Sequence, residues 1–166
     1  NDYFDSDTDQ FNEKKKSHEI LLKVSQKRKL RLTLLLTILI SIIVYIFLPN
    51  TISQTLFVIF ILLSIFYSTP PLRFKAHPFI DSFSNILYIF PALIAYSFFS
   101  NIYSAPVILA MCFWAIAMHL YSAIPDIKSD AKANLKTTAV VIGEKNSLIL
   151  CCTLYLISVL CGLLTP

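Results

Sequence analysis

Long apolar runs separated by short polar segments set the pattern of this chain. Five such runs stand at about residues 30–48, 51–67, 83–99, 105–121 and 147–165. A helix needs roughly 17–25 residues to cross a bilayer core, and each run falls in that range. Apart from Arg31 at the leading edge of the first, the runs hold no Lys, Arg, Asp or Glu. Their β-branched and aromatic content would suit strands in water. In lipid a segment must satisfy its own backbone, so continuous length predicts helices. The expected fold is all-α, a polytopic transmembrane helix bundle with five spans.

Composition agrees with the pattern. Apolar residues make up 56% of the 166 and charged residues only 14%, against about 45–50% and about 25% in soluble domains. This argues against a soluble globular domain, and no nucleic-acid partner is expected. A long charged segment precedes the first run and no small-residue cleavage site follows it, so the run does not read as a signal peptide. The chain opens at Asn1 and its last run stops at Pro166. It is expected to be one partial domain over 1–166, lacking helices on both sides. Cys112, Cys151, Cys152 and Cys161 all lie within runs and read as small packing residues.

Alternating the spans sorts the charges. All 14 Lys and Arg residues, and all 10 acidic ones, fall on the side that holds the opening segment. Loops rich in Lys and Arg are cytoplasmic. The expectation is therefore a multi-pass protein of the cell (inner) membrane with its chemistry on the cytoplasmic face. The net charge is +4. Lys14 to Lys16, with the cluster from Lys23 to Arg31, would attract anionic membrane lipids by about 1 kcal/mol per residue.

Two acidic stretches lie on that side. In NDYFDSDTD, a helix would put Asn1, Asp5 and Asp9 on one stripe with Asp2 beside it. Like charges at this spacing repel unless a cation lies between them. Carboxylate and amide oxygens suit Mg²⁺; a solvated charged loop is the alternative. In IPDIKSDAKANLKTTAVVIG, Asp126 and Asp130 repeat the spacing and Asn134 continues the stripe. Pro125 predicts a kink or end in the fourth helix. Four crossings separate the stretches, so both emerge on one face. Two carboxylate clusters that meet would hold Mg²⁺ shared with a phosphate or diphosphate, since Mg²⁺ seldom sits in an all-protein cage.

Basic residues to take the remaining charge lie in YSTPPLRFKAHPFIDSFSN. Pro70 and Pro71 bar a helix there. Arg73 and Lys75 share a parity, so an extended segment would present both on one face. Tyr67 and Ser68 offer hydroxyls at the rim, and Lys136, Thr137 and Thr138 add donors after the second stretch. A positive-inside loop with an interfacial tyrosine is the alternative reading.

These motifs resemble the UbiA superfamily of intramembrane prenyltransferases. NDYFDSDTD is similar to its first metal motif, DIKSD to its second, YSTPPLRFK to the loop motif between them, and LKTTAVVIG to the segment that follows. PPLRFKAHPFIDSFSN and HLYSAIPDI are most similar to the branch that elongates lycopene and related carotenoids. The resemblance implies helices around a central cavity with cytoplasmic caps. It implies Mg²⁺-dependent transfer of an isoprenoid from a prenyl diphosphate to a lipophilic acceptor. Asn1, Asp2, Asp5, Asp9, Asp126 and Asp130 would be the metal ligands. Tyr67, Ser68, Arg73, Lys75 and Lys136 would contact the diphosphate, with Arg73, Lys75 and Lys136 stabilising its departure. Asn134 stands where the family would have Gly.

A carotenoid, a quinone precursor, a chlorophyllide or a glycerol-lipid precursor could be the acceptor. Tyr88, Phe90, Trp114, His119 and Tyr121 could face an allylic cation or simply pack. A divalent-cation transporter and a structural membrane subunit are the readings from other classes. Transport sites normally place ionisable groups within the membrane.

Overall fold

A computed structural model describes residues 27–165. Asn1, Asp2, Asp5 and Asp9 lie outside the described residues. The chain forms α1 (Lys27–Phe47), α2 (Thr51–Ser68), α3 (Ile80–Phe83), α4 (Phe90–Tyr96), α5 (Ala105–Ala123), α6 (Ile127–Lys132) and α7 (Thr138–Leu163), with short 3₁₀ turns between. The described residues contain no strand, so the architecture is all-helical. Four helical stretches are long and apolar enough to cross a membrane: Arg28–Phe47, Thr51–Ser68, Ala105–Lys132 and Thr138–Leu163.

The third expected span differs from the other four. Ile80–Tyr96 is α3, a 3₁₀ segment from Ser84 to Ile89, and α4. Two local features break the helix. Pro91 has no N–H to donate, and the Asn85 amide and Ser84 hydroxyl donate to the Asp81 carbonyl at 2.8 and 2.9 Å, occupying an acceptor of the helical ladder. Its 3₁₀ part, Ser84–Ile89, rises about 2.0 Å per residue against about 1.5 Å in an α-helix.

The core lies where α2, α4, α5 and the 3₁₀ segment meet. Ile89, Phe90, Ile94 and Ala115 are buried there, with Phe57, Phe60 and Met111 packed against them. Pro125 acts as expected: α5 stops at Ala123 and a 3₁₀ turn over Ile124–Asp126 leads into α6. Helices α5 and α7 form the most extensive pair. Ala117 is wholly buried and its carbonyl accepts from the Cys151 thiol at 3.6 Å; a small residue there lets the backbones approach, as small residues do in membranes. The Ser158 hydroxyl then reaches across to the Ala110 carbonyl at 2.7 Å. By contrast, α1 is apolar on all sides and exposed along its length. An apolar cavity of about 610 Å³ separates it from α2.

The last span starts earlier than its apolar run. Helix α7 begins at Thr138 but is interrupted at Gly143, where φ is 76° and ψ is 168°. Only glycine adopts that region freely. The break separates a first turn, 138–142, from the apolar helix beyond it.

Candidate functional site

Asp126 and Asp130 sit one helical turn apart, Asp126 at the entry to α6 and Asp130 within it. This site lies beyond the apolar part of the fourth span. The spacing expected from the sequence is present, but Asn134 does not continue the stripe. The helix stops at Lys132, and Asn134 adopts a left-handed conformation with φ of 55°. The Leu135 N–H donates to the Asp130 carbonyl at 2.9 Å and the Asn134 N–H to the Ala131 carbonyl at 3.1 Å. This pair of bonds is a Schellman motif, with Asn134 doing what glycine usually does. It reverses the chain and brings Thr137 back to Asp130, to which its hydroxyl donates at 3.4 Å.

The electrostatics of Asp130 report its neighbours. Burial pushes its carboxyl up to about 6, and the negative charges of Asp126 and Asp81 push the same way. The Thr137 hydroxyl and Lys75 pull it back down. Lys75, on the loop after α2, is thus close enough to act on a carboxylate more than fifty positions along the chain. Lys128, Lys132 and Lys136 are exposed, as the opposed spacing of the first two anticipates.

The basic loop is not extended. Arg73 is left-handed, with φ of 37°, and Phe74–Ala76 is a 3₁₀ turn, so the shared parity of Arg73 and Lys75 does not put them on one extended face. Tight turning follows from Pro70 and Pro71 before it and Pro78 after it, none of which can donate to a ladder. Arg73 and Lys75 are both half-buried. Tyr67 ends α2 edge-on to His119 of α5, with ring centroids 6.3 Å apart, and Ser68 beside it is buried. Of the other aromatic candidates, Phe90 is core, whereas Tyr88, Trp114 and Tyr121 are exposed.

Sequence reasoning missed Asp81. It is completely buried. Its carboxylate accepts from the Thr138 N–H at 2.8 Å and, in a short bond, from the Thr138 hydroxyl. The Phe79 N–H donates in turn to the Thr138 hydroxyl oxygen at 2.6 Å. The signal was present in FIDSFSN: one acid among apolar and hydroxyl residues, with no basic residue within a helical turn.

Hard carboxylate oxygens beside basic side chains fit Mg²⁺ chemically. Among the described residues no group of three or more His, Cys, Asp or Glu could hold a metal alone. Any Mg²⁺ at Asp126 and Asp130 would have to take its remaining ligands from other oxygens. That suits a cation that normally keeps waters or substrate phosphates.

The profile of the UbiA prenyltransferase family matches residues 1–166. The chain belongs to this family. Among curated relatives, it is similar to a lycopene elongase/hydratase of Haloarcula japonica, 36% identical over 160 residues, covering 95% of this chain and 53% of that protein. A lycopene elongase/hydratase of Corynebacterium glutamicum is 33% identical over 164 residues, covering 95% of this chain and 57% of that protein. One from Halobacterium salinarum is 45% identical over 95 residues, 55% of this chain and 34% of that protein. The chain spans about half the length of the curated relatives it matches. No solved structure matches. Family membership together with the four long apolar stretches makes this UbiA chain a multi-pass membrane protein.

Proposed function

We propose that this UbiA chain is the central part of a Mg²⁺-dependent prenyltransferase. It would move an isoprenoid group from a prenyl diphosphate to a lipophilic acceptor, a carotenoid such as lycopene. The observation that supports the reading is the tie between the acidic turn and the end of the basic loop: Thr137 donates to Asp130, and the next residue, Thr138, accepts from the Phe79 N–H. Relatives named lycopene elongase/hydratase support the acceptor class. The site would face the cytoplasm, because loops rich in Lys and Arg are cytoplasmic by rule.

In this reading Asp126 and Asp130 would hold Mg²⁺, together with Asn1, Asp2, Asp5 and Asp9 from the opening motif. When bound, Mg²⁺ would neutralise diphosphate oxygens as charge grows on them. Arg73, Lys75 and Lys136 donate to that diphosphate, with Tyr67 and Ser68 at its rim, and stabilise the leaving group more than the bound substrate. The C–O bond breaks with its electron pair going to the diphosphate. The acceptor's π-electrons then form the new C–C bond, and a proton is lost. The apolar spans keep water from the cation. The partial domain 1–166 would be completed by helices from the rest of a longer protein.

The test uses full-length protein in membranes with Mg²⁺, several prenyl diphosphates, and lycopene in competition with a quinone-ring acid. The products are weighed by mass spectrometry. A mass gain of one isoprenoid unit on lycopene is expected. Prenylation of the quinone-ring acid alone would overturn the acceptor, and no metal-dependent product from any pair would overturn the reaction.

A further inference from the structure

We propose that Asp81 is a positioning residue that locks the basic loop to the metal-binding carboxylates through Thr138 and Thr137. The proposal deepens the functional reading above and rests on it. Two stretches far apart in sequence, 79–81 and 130–138, are joined by a set of hydrogen bonds. The Phe79 N–H, at the end of the loop that carries Arg73 and Lys75, donates to the Thr138 hydroxyl oxygen. That hydroxyl and its own N–H both donate to the Asp81 carboxylate. Thr137, the next residue, caps α7 by accepting from the Val140 N–H and donates to Asp130. Fixing Thr138 therefore fixes Thr137, and with it one oxygen of Asp130.

A fully buried carboxylate needs compensation. Asp81 obtains it from two donors of one residue, the N–H and hydroxyl of Thr138. Its own carbonyl holds Ser84 and Asn85, so the third crossing is anchored to the same point. Hydrogen-bond partners one step removed from a metal ligand set that ligand's orientation. Asp81 stands two steps removed and on a different segment, so it couples the diphosphate side of the site to the metal side.

The test uses full-length protein in nanodiscs: wild type, Asp81→Asn, Thr138→Val and Thr138→Ser. Hydrogen exchange is measured without metal in peptides that cover Phe79, Thr138 and α5. Mn²⁺ binding is followed by electron paramagnetic resonance, and apparent KM is measured for donor and acceptor. Asp81→Asn is expected to speed exchange at Phe79 and Thr138 together while α5 keeps its protection. Mn²⁺ and donor affinities should fall by about 10–100-fold, with acceptor KM within about twofold. Thr138→Val should move both constants in the same direction, and Thr138→Ser should recover them. Unchanged exchange at Phe79 and Thr138 would overturn the lock. Faster exchange with donor and acceptor constants shifted equally would reduce Asp81 to a structural role and overturn its positioning. If Asp81→Asn does not fold, Thr138→Val decides by the same criteria. A wild type that binds Mn²⁺ but transfers no prenyl group would sink the enzymatic reading alone, leaving exchange and Mn²⁺ binding to judge the lock; one that binds none would overturn both.

Discussion

The two ends of the bundle solve the same problem with different chemistry. Each must tie the chain together where it reverses. At the neutral end, the Asn50 side chain caps α2 through the Ser53 N–H at 2.8 Å and donates to the Ser97 carbonyl at 2.7 Å. The Tyr103 hydroxyl reaches the Leu93 carbonyl at 3.1 Å. At the charged end, the corresponding ties run through the carboxylates of Asp81 and Asp130. Uncharged donors and acceptors suffice to close a turn. Burying carboxylates is costly, and here they accumulate at one end only. Among the described residues, that asymmetry distinguishes an end closed by uncharged groups from an end that carries buried carboxylates.

Substitutions can break or sharpen the contrast. The largest effect belongs to Asp126→Ala, which should reduce Mg²⁺-dependent turnover of the full-length protein to background; full activity would remove the metal assignment. Arg73→Ala comes next. Losing a charged hydrogen bond costs about 1.5–3 kcal/mol, so donor KM should rise by about 10–100-fold with acceptor KM little moved, and equal shifts would count against its role. Gly143→Ala places a Cβ in a region that only glycine adopts freely, costing about 1–3 kcal/mol of stability by thermal or denaturant unfolding in detergent. An unchanged melting temperature would show that the break in α7 can close. The smallest effect is at the neutral end: Asn50→Ala should cost about 1 kcal/mol of stability and leave the donor and acceptor constants at wild-type values. A selective loss of donor affinity in that variant would erase the distinction between the ends.

Hydropathy foretold the helices because lipid leaves the backbone no other partner. It foretold least about the third crossing. There, length and apolarity predict a plain span, but Pro91 and the side chains of Ser84 and Asn85 act locally on the backbone and cut it into pieces. Pro125 shows the opposite case, a residue whose local effect dominates and can be read directly. Asp126 and Asp130 keep their spacing because one turn of helix connects them. Arg73 and Lys75 lost their extended parity because the prolines on either side favour tight turning and the Phe79 N–H is tied to Thr138. Asn134 adopted a left-handed φ, a tolerance known for its side chain. Asp81 escaped notice because its partners lie 57 positions away, and no spacing rule spans that distance.

The 3₁₀ segment in the third crossing has a mechanical consequence. By rising further per residue, it lengthens a stretch shorter than its neighbours. A short apolar stretch thins the surrounding lipid, and the added rise would reduce that mismatch within the protein. The registry of Asp81 with Thr138 at one end, and of Ser97 with Asn50 at the other, can then hold together.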